Sequence, residues 1–153
     1  MTGEKDETVE RILTEELSEV AKTGARLGGA ALTGLGGLLG GRLGAKMART
    51  ERADGFFRCS GDRKDLLLLL YAWFAKNGRL AGETDPHGSQ VMGVLRGGLM
   101  AMNPVVLRVS LREMEEGAVE AHVEAFAKEG LLSQHTAEKA VTRFAEDLSR
   151  LAR

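Results

Sequence analysis

Apolar and polar positions change period several times along this chain, and each change marks a predicted element. Val9, Ile12, Leu13, Leu17 and Val20 recur at helical spacing with acids between them, which predicts an amphipathic helix over residues 7–22. Thr8 stands where a cap would start it. Further on, residues 55–60 read as a short strand, and Asp62 caps a helix over 63–76 that the Asn77-Gly78 pair closes. Strands follow at 79–84 and 90–96. From 105 to 113 the alternation is clean, with Leu107, Val109 and Leu111 on one face and Arg108, Ser110 and Arg112 on the other. After a turn at Glu115-Glu116-Gly117, Val119, Ala121, Val123 and Ala125 form the inward side of a fifth strand. A last helix over 136–152 has Ala137, Ala140, Val141, Phe144, Leu148 and Leu151 at helical spacing. The order β-α-β-β-β-β-α predicts an α+β fold, an antiparallel sheet with helices on one face.

Between the first helix and this unit the pattern is of a different kind. Nine glycines lie between Gly24 and Gly44. On a helix, steps of four sort them into stripes. One holds Gly24, Gly28, Gly36, Gly40 and Gly44, and its neighbour holds Gly29, Gly37 and Gly41 with Ala25, Thr33 and Ala45. Bulk gathers on a third stripe through Leu27, Leu35, Leu39, Leu43 and Met47, and Arg26, Arg42 and Lys46 mark the ends of a fourth. This is a glycine-zipper pattern, in which small residues let helix backbones approach closely. Each glycine costs a helix nearly 1 kcal/mol against alanine, so nine cost about 7–9 kcal/mol. Close packing on another helix, or burial in lipid, would offset that; otherwise the segment is a flexible linker. The uncharged stretch 27–41 would be about 22 Å long as a helix, against about 30 Å for a bilayer core. An interfacial or oligomer-buried helix therefore fits better than a span. The expected organisation is an acidic helix and zipper in 1–52, followed by a compact domain in 53–153.

The stretch from about residue 55 to 153 resembles the minimal helix-grip domains of small bacterial proteins, relatives of the START/Bet v 1-like superfamily. The features that carry the resemblance are the strand-helix start, the Asp85-Pro86-His87-Gly88 turn, the bend at Gly97-Gly98 and the connection Glu129-Gly130-Leu131-Leu132 into the closing helix. The resemblance implies a sheet gripped by a long C-terminal helix. In larger members it also implies a small apolar ligand or lipid held between the two.

Charge sharpens the division. The net charge is −1, yet residues 1–21 are rich in acids, whereas 22–52 carry Lys22, Arg26, Arg42, Lys46, Arg49 and Arg52 against Glu51. Opposed blocks of this kind suit head-to-tail self-association or contact with another charged surface. On that reading Arg42, Lys46, Arg49 and Arg52 pair with Glu15, Glu16 and Glu19 of a neighbouring chain or with anionic lipid, while Val9, Ile12, Leu13 and Leu17 align the chains.

The residues offer little chemistry. His87, His122 and His135 have no metal-ligand partners at diagnostic spacing, and Cys59 is the only cysteine. Phosphate-binding loops fail at Leu39 and at Ala45-Lys46-Met47. No nucleophile elbow occurs, and the basic run of 42–52 has no interleaved aromatics to suit nucleic acid. No catalytic residue, cofactor or metal is expected. His122 and Glu124 are expected in a solvent-facing cross-strand cluster with Arg108 or Arg112. Two apolar features exceed what a small core needs. The helix over 63–76 is apolar almost all round, Leu68 and Tyr71 included, so its outer side would meet the first helix or a neighbouring subunit. Leu99, Met100 and Met102 form a Met-rich connection that is either core filler or an adaptable contact surface for a ligand, a membrane or a partner. The sequence thus leads to a non-enzymatic, self-assembling or membrane-associating scaffold. It would be cytoplasmic or peripheral to a membrane, and the alternative is a tethered module for a small apolar ligand.

Overall fold

The computed structural model describes residues 2–27, 49–82, 88–97, 103–129 and 135–151. Its elements are α1 (Thr2–Leu27), β1 (Arg49–Ser60), α2 (Arg63–Asn77), β2 (Gly78–Leu80), β3 (Gln90–Gly97), β4 (Asn103–Glu113), a 3-10 turn (Glu115–Gly117), β5 (Ala118–Glu129) and α3 (Thr136–Leu151). The strands form one antiparallel sheet in the order β1-β5-β4-β3-β2. The α+β class and the order of elements from β1 onward are as the alternation predicts.

One sheet face is apolar and carries α2 and α3. Val119, Ala121, Val123, Ala125 and Ala127 of β5, with Val105, Leu107, Val109 and Leu111 of β4, point into this layer. Leu66, Leu70, Trp73 and Phe74 of α2 and Ala137, Val141, Phe144 and Leu148 of α3 close it from above. The alanines of β5 let α3 lie low on the sheet. Gly93 does the same for α2, because a Cβ there would stand 2.3 Å from the Phe74 ring. Trp73 meets Phe144 edge to face with centroids 4.9 Å apart, joining the two helices. Asp62 caps α2 by accepting from the Asp65 N–H at 2.9 Å.

The N-terminus of α3 is held by two strand carboxylates. The Thr136 N–H donates to Glu129 Oε1 at 2.9 Å and the Ala137 N–H to Glu51 Oε2 at 2.8 Å. Two of the free N–H groups at the positive end of the helix are thereby satisfied by negative charge.

The other sheet face carries α1, so the helices are not all on one side. Val9, Ile12 and Leu13 are buried against Val94, Val106 and Phe126, each contributing about 1.5–3 kcal/mol. Around them Glu10 pairs with the buried Lys128 at 2.6 Å and accepts from Thr50 Oγ1. Glu16 pairs with Arg79. The residues expected to align neighbouring chains, Val9, Ile12 and Leu13, are therefore used within the chain. The acids assigned to an adjacent copy also have partners here: Glu15 with Arg11, Glu16 with Arg79 and Glu19 with Lys22.

Three boundaries differ from the pattern reading. Helix α1 extends beyond 7–22 at both ends, because apolar periodicity reports only the part of a helix that touches a core. Strand β1 begins at Arg49 rather than residue 55. Its early positions are charged on both faces, with Arg52 bound to Glu124 and Glu51 capping α3, so no apolar alternation betrays it. Strand β2 spans Gly78–Leu80, and residues 83 and 84 of the expected strand lie outside the described residues.

Candidate functional site

Neither surface singled out by the sequence falls wholly within the described residues. Of the zipper, Gly24 lies in α1, whose backbone stays helical through Leu27. Gly28, Gly29, Leu35, Gly36, Gly37, Leu39, Gly40, Gly41, Arg42, Leu43, Gly44 and Lys46 lie outside the described residues, as do Leu99, Met100 and Met102. No helix among the described residues is long and apolar enough to cross a membrane.

Leu68 and Tyr71 are placed apart rather than together. Leu68 points outward from α2 with 66% of its surface exposed, and Tyr71 turns half-buried onto the core. Helix α1 lies across the sheet from α2, so it does not cover Leu68. Beside this outer side, α2 and α3 enclose a groove of about 430 Å³ lined by Leu69, Ala72, Trp73, Lys76, Asn77, Arg143, Asp147 and Arg150. Trp73 Nε1 donates to Asp147 Oδ2 at 3.0 Å, and Arg143 donates to Asn77 Oδ1 at 2.9 Å. The floor is apolar and the rim is mostly basic, a lining that suits a ligand with an apolar body and an acidic end. Sequence reasoning missed this groove because its two walls lie some seventy residues apart. The one available signal was the spacing of Arg143, Asp147 and Arg150 at helical intervals on α3.

Among the described residues, the face under α1 carries a dense set of ion pairs. Arg108 and Glu124, each 6% exposed, pair across β4 and β5 at 2.6 Å. Arg52 reaches the other Glu124 oxygen at 2.6 Å. Both guanidiniums stand over the Phe126 ring, at 5.0 Å for Arg108 and 5.6 Å for Arg52. Burial pushes the Glu124 carboxyl up, but hydrogen bonding and charge from Arg108, then charge from Arg52 and His122, outweigh it and hold the group below its ordinary value. Glu10 behaves alike: burial raises it, and Lys128 and Thr50 bring it below the ordinary value. Glu124 is thus buried rather than solvent-facing, a correction with a plain cause, since two arginines neutralise it. Neighbouring Arg112 and Glu120 pair at 3.0 Å. His122 is half-buried, stacks on Phe56 with centroids 4.3 Å apart, and has Nε2 3.5 Å from Asp54. The Arg52–Glu124–Arg108 part of this network is a structural clamp: two guanidiniums saturate the Glu124 carboxylate, which leaves it poorly suited to proton transfer. Cys59 is buried, and burial pushes its thiol up, keeping it protonated and unreactive. Among the described residues no cluster of His, Cys, Asp or Glu could hold a metal.

No family model matches the chain, and no curated protein matches it. A solved structure of an uncharacterized protein from Bacillus thuringiensis is similar over 67% of this chain and 96% of its own length, with a TM-score of 0.42 and 7% identity.

Proposed function

We propose that this chain is a non-enzymatic, self-associating scaffold or adaptor, in which the zipper of residues 24–44 makes helix–helix or lipid contact and the sheet domain is carried alongside. The observation that supports this best is the course of α1. It continues as a helix through Leu27, past Gly24 and Ala25, the first positions of the two small-residue stripes. A helix that has already entered the pattern favours the zipper over a linker, and its glycine cost then calls for a close-packed partner. Anchoring of α1 on the sheet gives the zipper a fixed point of departure. The test is density-gradient flotation of the full chain with and without anionic liposomes. Flotation that disappears when residues 23–48 are deleted would make lipid the contact; sedimentation as a large particle under both conditions would make it protein. A monomer that neither floats nor assembles would sink the proposal.

The α2–α3 groove favours a second reading, a module for a small apolar ligand. The space between α3 and the sheet is filled by Phe144, Val141 and Leu148, so a ligand would sit against Trp73 instead. Mass spectrometry of the purified chain under native conditions, before and after organic extraction, decides this reading.

A further inference from the structure

Strand β1 ends the sheet with its outer edge unpaired among the described strands. It is also long, twelve residues or about 40 Å. Folded proteins shorten or cover such edges, because a row of free N–H and C=O groups is a template for another strand. Here the edge also presents Phe56, 62% exposed. Ala53 and Phe57, on the other face, are only partly buried at the margin of the core.

We propose that β1 is a homotypic pairing edge, at which two copies of this chain join antiparallel, centred on Phe56, to make one continuous sheet. The order of side chains along the strand carries the argument. In an isologous pair centred at Phe56, each copy's Phe56 faces its twin, Asp54 faces the other's Arg58, and Arg58 faces the other's Asp54. On the opposite face Gly55 lies across from Phe57, a small residue against a large one, and Ala53 across from Cys59. Neighbouring registers lose these matches. Centring on Gly55 sets Arg52 against Arg58 of the other copy, a like-charge pair that disfavours it. Centring on Phe57 leaves Asp54 opposite Ser60 and Phe56 opposite Arg58, with no ion pair formed on that face. The charges that would guard this edge against arbitrary strands thus select its own copy, which is how specificity at an edge is built. Within the chain, Arg52 is engaged by Glu124 and Glu120 by Arg112. Among the described residues, Asp54 has only the His122 contact at 3.5 Å. This edge stands on the sheet's own geometry and does not depend on the zipper.

Cysteine scanning on the full chain tests the register. In a Cys59→Ala background, Phe56→Cys places two thiols across the two-fold axis, within the roughly 4.4–6.8 Å Cα separation a disulfide needs. Asp54→Cys or Arg58→Cys alone would leave each thiol about 13 Å from its twin. Under mild oxidation the expected result is covalent dimer at position 56, formed several-fold faster than at 54 or 58. The same ranking is expected in a Gly36→Leu/Gly40→Leu background, where zipper contacts are disrupted. Equal rates at all three positions, no dimer, or dimer only with the zipper intact would each overturn the proposal. Charge exchange supplies a second readout, since both charged positions are exposed. Asp54→Arg and Arg58→Asp are each expected to weaken the dimer in sedimentation, and the double exchange to restore it; failure of the double exchange to recover dimer contradicts the assigned register.

Discussion

The two faces of the sheet are covered in opposite ways. The face beneath α2 and α3 is held by shape: alanines and Gly93 clear space for Phe144, Val141 and Phe74, and the two helices lock through Trp73. The face beneath α1 is held by a small apolar contact surrounded by charge, with Val9, Ile12 and Leu13 inside and Glu10–Lys128, Glu16–Arg79 and Arg52–Glu124–Arg108 around them. Apolar contact neither titrates nor is screened by salt, whereas ion pairs are subject to both. Helix α1 is thus the layer more open to salt and acid, packed in an apolar cluster of its own apart from the one under α2 and α3.

Substitutions should separate the faces. Phe144→Ala removes the largest side chain of α3 from the apolar layer and is expected to cost about 4 kcal/mol, lowering the urea midpoint of the whole unit. Arg108→Met leaves Glu124 buried with only the half-exposed Arg52 and should cost about 3 kcal/mol, whereas joint replacement by Arg108→Met and Glu124→Leu should recover most of that loss. A double variant no more stable than Arg108→Met would contradict the clamp. Leu13→Ala should cost about 2–3 kcal/mol. Its signature in hydrogen exchange is faster opening of α1 with protection of β4 and β5 kept; equal loss in both regions would show that α1 is part of the core. Smallest is Glu51→Ala, which removes one of the two carboxylates at the start of α3 and should cost about 1 kcal/mol.

Acid should act on the α1 face first. Glu10 and Glu124 titrate below their ordinary values in the folded chain. Their contribution is therefore fully present above the ordinary carboxylate range of about 4 and is lost as pH falls through the lower folded values. Urea midpoints measured down the pH scale should drop below about pH 4, and less steeply for Glu124→Gln than for the parent chain. A parallel fall in both would remove Glu124 from the account.

Much of this arrangement was legible in the sequence, for identifiable reasons. The alternation of Leu107, Val109 and Leu111, and of Val119 to Ala125, fixed two strands and their inward side, because one face is buried and the other is not. The turn at Glu115–Gly117 then sets the register, and with it the opposition of Arg108 to Glu124 and Arg112 to Glu120. Burial of that first pair was not legible, since a charged side chain gives no hint that a partner lets it leave water. Nor was the placement of α1. Its apolar stripe says that it packs on something, and only the three-dimensional match of Val94, Val106 and Phe126 says what. The first half of β1 was hidden because its charges serve as caps and bridges on both faces. The α2–α3 groove gave no local signal beyond the helical spacing of Arg143, Asp147 and Arg150, because its other wall is a helix remote in sequence.

Sedimentation of the full chain beside its Gly36→Leu/Gly40→Leu variant decides whether the glycine stripes hold copies of this chain together. Leucine at those two positions keeps a helix, and indeed favours it, while blocking close approach of backbones. A large assembly is expected for the parent chain and a sharp loss of mass for the variant, with the circular dichroism of the sheet domain unchanged. An assembly of the same mass in both proteins would contradict it.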